Sequence, residues 1–149
     1  MPANKIDKLI NAIIVDDEPD CCESLSILLQ RYCPEVKILN VCYSAKSAIA
    51  CINEHCPDML FLDIEMPFMN GFEMLEKLGE INFELIFTTS YDQYAIKAIH
   101  FSALDYLLKP INREDLQKSV QKAAQRNQHI LPQQLEALLQ KLKRPAVPI

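Results

Sequence analysis

The sequence predicts a doubly wound α/β fold, with five parallel strands, each followed by a helix, and helices on both faces of the sheet. Three observations carry this expectation. Five short apolar runs recur along the chain, and each is followed by apolar residues spaced three and four apart. Most of the runs are continuously apolar rather than alternating, as strands buried on both faces are. Strand and helix alternate strictly, which calls for crossover connections, and these are right-handed.

The elements follow in order. Ala12-Ile13-Ile14-Val15 is a buried strand that ends at Asp16-Asp17, and Leu25, Leu28, Leu29 and Tyr32 form the stripe of the first helix. Val36 to Val41 is the second strand, and Ala45, Ala48, Ile49 and Ile52 mark the second helix. Met59 to Leu62 is the third strand, and Gly71 to Leu78 places Phe72, Leu75 and Leu78 on one helical face. Leu85-Ile86-Phe87 is the fourth strand, with Tyr94, Ile96 to Ala98 and Ile99 in the helix after it. Leu104 to Leu108 is the fifth strand. Leu116, Val120 and Ala123 mark the last helix, capped by Asn112 with Glu114 and Asp115 in its first turn.

The bulk composition bounds the function. A chain of 149 residues, half of them apolar, can bury one substantial core. No apolar run approaches the roughly 20 residues of a membrane span, and MPANKIDKLINAII is too polar for a secretory signal. Six cysteines, at 21, 22, 33, 42, 51 and 56, show no paired CxxC spacing and no following His pair. They read as reduced thiols acting as small hydrophobes in a cytoplasmic protein. Up to Gln125 there are 19 acidic and 11 basic side chains, a balance of −8, and from Arg126 onward the balance is +3. Such an acidic body is a poor nucleic-acid binder by itself, because phosphate contacts need clustered Lys and Arg.

In doubly wound sheets the chemistry gathers at the carboxyl ends of the strands. Here those ends carry Asp16-Asp17, Asp63, Thr88-Thr89-Ser90 and Lys109-Pro110. The ends of strands one and three are neighbours, so three carboxylates, a hydroxyl and an amine converge. Carboxylates this close repel unless a cation sits among them, and hard oxygen ligands completed by water suit Mg²⁺. A carboxylate can attack phosphorus and hold the group as an acyl phosphate. Lys109 could then pair with the phosphoryl as a point charge, and Thr89 could donate its hydroxyl.

The chain resembles the receiver domain of bacterial two-component response regulators over roughly Ala12 to Gln125. The matching residues are Asp16-Asp17, Asp63, Met66-Pro67 and Gly71, Thr89, Tyr106, and Lys109-Pro110. The resemblance implies a flavodoxin-like (βα)5 fold with strand order 2-1-3-4-5. It also implies Asp63 as phosphoacceptor, with Mg²⁺ bound by Asp17 and Asp63 directly, by Asp16 mainly through water, and by the Glu65 backbone carbonyl. Thr89 and Lys109 would contact the phosphoryl group, Tyr106 would be an aromatic rotamer switch, and Lys109-Pro110 a cis peptide. Glu65 and Tyr91 would border the path of attacking water. The implied partners are a sensor histidine kinase and a second copy, met through helix four, strand five and helix five. The stretches IFTTSYDQYAIKAI and SALDYLLKP resemble receivers of the LytTR class, whose output domain binds DNA. The expected organisation is an extension over 1–10, a receiver over 11–125, and a linker over 126–149 leading to an output domain absent from this chain.

Other readings compete at several residues. Glu18 and Asp20 suit the first helix turn, where the dipole favours acids. Thr88 should point to the face opposite Thr89. Gly71 reads as a position needing positive φ or close backbone approach, and Gly79 as a helix C-cap. Ser102 stands where many receivers carry glycine. Tyr106 could be a plain core aromatic. His55 and His100 have no partner pattern and read as surface or helix-end residues, while His129 belongs to the tail. Beyond Gln125, Leu131, Leu135, Leu138 and Leu142 recur at helical spacing with Pro132 as first helical residue, and Lys143 to Pro148 reads as linker. Under two heptads is too short for a free-standing coiled coil.

Two alternatives belong to other function classes. An aspartate-nucleophile phosphatase of the haloacid dehalogenase type wants a second Asp two residues on, where this chain has Glu65, and its nucleophile usually follows the first strand. A degenerate receiver that docks a partner without phosphorylation would not need the intact acidic pocket.

Overall fold

The computed structural model describes residues 9–129. The strands are β1 (Ile10–Val15), β2 (Val36–Cys42), β3 (Met59–Leu62), β4 (Glu84–Thr89) and β5 (Asp105–Leu108). The helices are α1 (Pro19–Tyr32), α2 (Ala45–His55), α3 (Gly71–Leu78), α4 (Ala95–His100) and α5 (Arg113–His129). All strand pairs are parallel, and the order is β2-β1-β3-β4-β5. The flavodoxin-like arrangement expected from the sequence is the one observed.

Alternation along the strands splits the core in two. Ile13, Val15, Leu60, Leu62, Leu85 and Phe87 face α2, α3 and α4, where Ala48, Phe72 and Leu75 meet them. Ala12, Ile14, Met59, Phe61, Ile86 and Leu107 face α1 and α5, against Leu25, Leu29, Leu116 and Val120. The central strand β3 is buried at every residue, whereas on the edge strand β2 only Cys42 is fully buried and Lys37 and Asn40 are exposed. Pairing runs past the apolar residues in β4, where Thr88 and Thr89 pair with Leu107 and Leu108, so polar residues that belong to the site are held by the sheet itself.

Helix ends match the sequence chemistry. Asn70 and Glu73 form a reciprocal capping box at the start of α3. The Asn112 side chain accepts from the Asp115 N–H at 2.8 Å, the cap expected for α5. Gly79 ends α3 with φ 80. Ser102 has φ 58, so the turn after α4 takes left-handed backbone without glycine. α4 is only six residues long, with Tyr94 as its N-cap rather than within it.

Four cysteines, at 22, 33, 42 and 51, are buried, Cys21 is half-buried and Cys56 exposed; all six thiols are free. Burial pushes the Cys22 thiol up to about 12, so it packs as an apolar group. His55 and His100 sit exposed in the last turns of α2 and α4. The tail helix expected over Leu131 to Leu142 lies outside the described residues. No described helix is long and apolar enough to cross a membrane.

Candidate functional site

Register builds the site. Val15 pairs with Leu62, so the next residues, Asp16 and Asp63, lie side by side where the two strands leave the sheet. The Asp63 N–H extends the ladder by one bond, to the Val15 carbonyl at 2.9 Å. By strand alternation Asp16, Asp63 and Lys109 all follow the rows of Ile14, Phe61 and Leu107, on the α1/α5 side. Thr89 continues the opposite row, after Leu85 and Phe87, while its neighbour Thr88 faces the α1 side and lines a cavity with Asp16 and Lys109.

Lys109 Nζ lies 2.7 Å from Asp16 Oδ2, 3.5 Å from Asp63 Oδ2 and 3.9 Å from Glu18 Oε1. Carboxylate oxygens of Asp16, Asp17 and Asp63 lie within 4.8 Å of one another. Asp16 and Asp63 are buried. Asp63 Oδ1 accepts from the Ile64 N–H at 2.8 Å, and Asp16 Oδ1 from the Glu18 N–H at 3.0 Å. Burial, and then the adjacent Asp16 charge, push the Asp63 carboxyl up to about 7, while Lys109 and the Ile64 N–H pull the other way. Asp17 is also raised, chiefly by desolvation. Burial alone would lower the Lys109 ammonium pKa, but the Asp16 hydrogen bond and the Asp63 and Asp16 charges outweigh it and raise it.

A cluster of hard oxygen donors with an Asp63 carboxyl that resists ionisation is a site short of positive charge. One lysine does not neutralise three aspartates. The donor set fits a hard divalent cation such as Mg²⁺, which prefers carboxylate and water oxygens.

The remaining expected residues make contacts of their own. Thr89 is fully buried, and its hydroxyl accepts from the Tyr91 N–H at 3.3 Å. The Tyr106 hydroxyl donates to the Tyr91 carbonyl, and its ring packs 6.2 Å from Phe87. Glu65 is exposed, and its side chain does not join the carboxylate cluster; it accepts a hydrogen bond from the Tyr94 hydroxyl. Pro67 lies exposed in the β3–α3 loop, and Met69 N–H bonds to its carbonyl at 2.8 Å. Gly71 is a close-approach glycine: an added Cβ would lie 2.5 Å from the Asp63 carbonyl oxygen. The Lys109-Pro110 peptide is cis. Asp20 lies in the first turn of α1 as expected, whereas Glu18 is its N-cap, without a side-chain cap bond, and reaches toward Lys109. The contact between Tyr94 and Glu65 was missed by sequence reasoning, since 29 residues separate them and Tyr94 fits the apolar stripe of its helix.

The raised Asp63 carboxyl sets a pH prediction. Its folded value, about 7, exceeds the ordinary 3.8, so the folded state holds this proton more tightly than the unfolded chain does. The contribution of Asp63 to stability therefore falls as pH rises from about 4 to 7, and that loss is complete above 7. Asp63→Asn should stabilise the metal-free protein by about 1–3 kcal/mol at pH 8 and change little at pH 4, as read by urea unfolding. Equal effects at both pH values would show that the carboxyl is not strained by its neighbours.

The family model described as "Response regulator receiver domain" matches residues 12–121. The transcriptional regulatory protein BtsR of Salmonella typhimurium is 41% identical over 135 residues, which cover 87% of this chain and 56% of that protein. The sensory transduction protein LytT of Enterococcus faecalis is 36% identical over 126 residues, 83% of this chain and 52% of its own length. The chain thus spans about half the length of these curated relatives. A crystal structure of a DNA-binding response regulator of the LuxR family from Staphylococcus aureus superposes with TM-score 0.70 at 28% identity, covering 78% of this chain and 99% of that one. A receiver domain structure from Clostridium thermocellum has TM-score 0.73 at 24% identity, covers 83% and 100% of the two chains, and shows the same fold. With the strand order, the acidic cluster and the lysine all in place, these matches settle its kinship: the chain belongs to the response regulator receiver domains of two-component signalling.

Proposed function

We propose that this receiver takes a phosphoryl group from the phosphohistidine of a sensor kinase onto Asp63 and thereby switches a partner-binding surface. The observation that carries the reading is the meeting of Asp16, Asp17 and Asp63 with Lys109 at 2.7–3.5 Å from two of them. Asp63 Oδ attacks phosphorus; the new O–P bond forms as the N–P bond to histidine breaks, and the imidazole leaves with the electron pair. Asp16, Asp17, Asp63 and the Glu65 backbone carbonyl would hold Mg²⁺. The ion would supply charge neutralisation at the phosphoryl oxygens. Lys109 is already poised between Asp16 and Asp63, so it can pair with a phosphoryl oxygen by a small rotation about its own stem.

Thr89 and Tyr106 connect through the backbone of Tyr91, whose N–H serves one and whose carbonyl serves the other. Drawing the Thr89 hydroxyl toward a phosphoryl group therefore disturbs the Tyr106 contact, which is the role of a switch pair. The surface that reads this change is α4–β5–α5, where Ile96, Ile99 and Leu108 are exposed apolar residues suited to a second receiver. Its relatives' lengths and the LytTR-like stretches support a full-length cytoplasmic transcriptional regulator that meets DNA through an output domain of that class. The receiver region spans about 11–125, with 1–10 before it and 126–149 as connection.

Exposure to acetyl phosphate and Mg²⁺, followed by intact-mass measurement, tests the reading. One added phosphoryl is expected, absent in Asp63→Asn. An unmodified parent protein, or equal modification of the variant, overturns it.

A further inference from the structure

The contact between Tyr94 and Glu65 joins two parts of the molecule that the phosphoryl chemistry treats separately. Glu65 lies two residues past Asp63, on a loop fixed by the Gly71 N–H bond to the Ile64 carbonyl at 2.8 Å and by the Asn70–Glu73 capping box. Tyr94 is the N-cap of α4, and its hydroxyl donates to Glu65 Oε2. The carboxylate accordingly holds the Tyr94 proton and raises its pKa.

α4 has little else to hold it. It has no side-chain N-cap bond, only Ala98 is buried, and Ile96 and Ile99 are 75% and 73% exposed. Its other anchor is the Phe72 ring, met edge-on by Tyr94 at 5.9 Å, stacked by Phe101 at 5.4 Å and capped by the Lys97 ammonium at 4.8 Å. Those contacts fill space but tolerate sliding, whereas a hydrogen bond is directional. Tyr94 also packs edge-on against Tyr91 at 6.1 Å, and Tyr91 carries the bonds to Thr89 and Tyr106. Contacts thus run without a gap from Thr89 through Tyr91 and Tyr94 to Glu65.

We propose that the Tyr94–Glu65 hydrogen bond is a latch between the phosphoacceptor loop and α4, and that Tyr94 is a positioning residue which holds α4 in its unphosphorylated placement until the latch opens. Both ends are tied to atoms that phosphorylation disturbs: Glu65 to the loop after Asp63, Tyr94 to the segment after Thr89. A bond present in only one of two states favours that state and opposes the other by the same factor. The second half of this inference, the opposition to phosphorylation, rests on the phosphoacceptor reading of Asp63; the first half does not.

Tyr94→Phe keeps the ring on Phe72 and Tyr91 and removes only the hydroxyl, so packing is preserved. In the full chain, amides 96–103 should exchange with deuterium about two- to fivefold faster in this variant. The initial rate of phosphoryl uptake from acetyl phosphate with Mg²⁺ should rise by a similar factor, because it follows the fraction of protein with the latch open. In a Glu65→Ala background the same substitution should change neither quantity, a non-additivity that a purely structural tyrosine would not show. Unchanged exchange in Tyr94→Phe, or full additivity with Glu65→Ala, overturns the latch. Faster exchange with unchanged uptake overturns its coupling to Asp63. If the parent protein takes up no phosphoryl group, the phosphoacceptor reading and the coupling fall together, while the exchange measurement still decides the latch.

Discussion

Replacing Lys109 with methionine is expected to destabilise the metal-free protein by about 3 kcal/mol at pH 8 and by much less at pH 5.5. The ammonium is the only cation among the described residues within 4 Å of Asp16 and Asp63, and both of those carboxyls are buried. Methionine keeps much of the stem's packing but leaves two like charges facing each other away from water. A proton limits the damage. The Asp63 carboxyl already stands at about 7, with Lys109 pulling it down; without Lys109 it moves higher still. The folded variant therefore takes up a proton that the unfolded chain, near 3.8, does not hold. Its stability falls as pH rises from about 4 through the new folded value, and at pH 5.5 the protonated carboxyl removes most of the repulsion. Urea unfolding at the two pH values gives the result directly. Addition of Mg²⁺ at pH 8 should recover part of the loss, since a cation bound only by the folded state stabilises it. A loss of the same size at both pH values would mean that Lys109 contributes packing rather than charge.

Most of this site was legible in the sequence because its parts occupy strand ends, and strand ends are where apolar runs stop. The run Met59 to Leu62 is buried at all four positions, and Asp63 is the first polar residue after it. Parallel pairing then brings Asp16 beside Asp63, which the doubly wound order implies before any coordinates are known. The expected cap at Asn112, the close approach at Gly71 and the left-handed end at Gly79 were legible for the same reason, since each is a local rule. The strand limits were less so. β1 begins at Ile10 because its amide bonds to the Glu35 carbonyl at 2.8 Å, a partner 25 residues away that no local pattern announces. The Tyr94–Glu65 contact was hidden for a similar reason. Tyrosine at helical spacing reads as a stripe residue, and only the packing of α4 over Phe72 brings its hydroxyl to the β3–α3 loop. Placement that follows from strand order could be read from the sequence; placement that depends on how a short helix settles could not.

Gly71→Ala should cost about 2–4 kcal/mol and lower phosphoryl uptake at Asp63 with it. Gly71 has no unusual φ, so helix propensity by itself would favour alanine at this first position of α3 by a few tenths to about 1 kcal/mol. Sterics reverse that preference. The new Cβ would lie 2.5 Å from the Asp63 carbonyl oxygen, 3.2 Å from Leu62 Cγ and 3.3 Å from Ile64 Cα. Two of these three are backbone atoms, and they cannot yield. Asp63 is tied to β1 through the Val15 carbonyl, and Ile64 to Gly71 itself. Relief must come from moving α3 outward, which uncovers Phe72, Met74 and Leu75, all buried against the sheet. That shift also turns the peptide after Asp63, whose N–H holds the carboxylate at 2.8 Å. Gly79→Ala is the matched control. Nothing lies within 4 Å of a Cβ there, so the only penalty is its φ of 80, worth about 1 kcal/mol. The first variant should lose more stability than the second and should alone lose phosphoryl uptake. Equal losses, or uptake preserved in Gly71→Ala, would show that the loop after Asp63 can widen, and that close contact between α3 and β3 does not set the placement of Asp63.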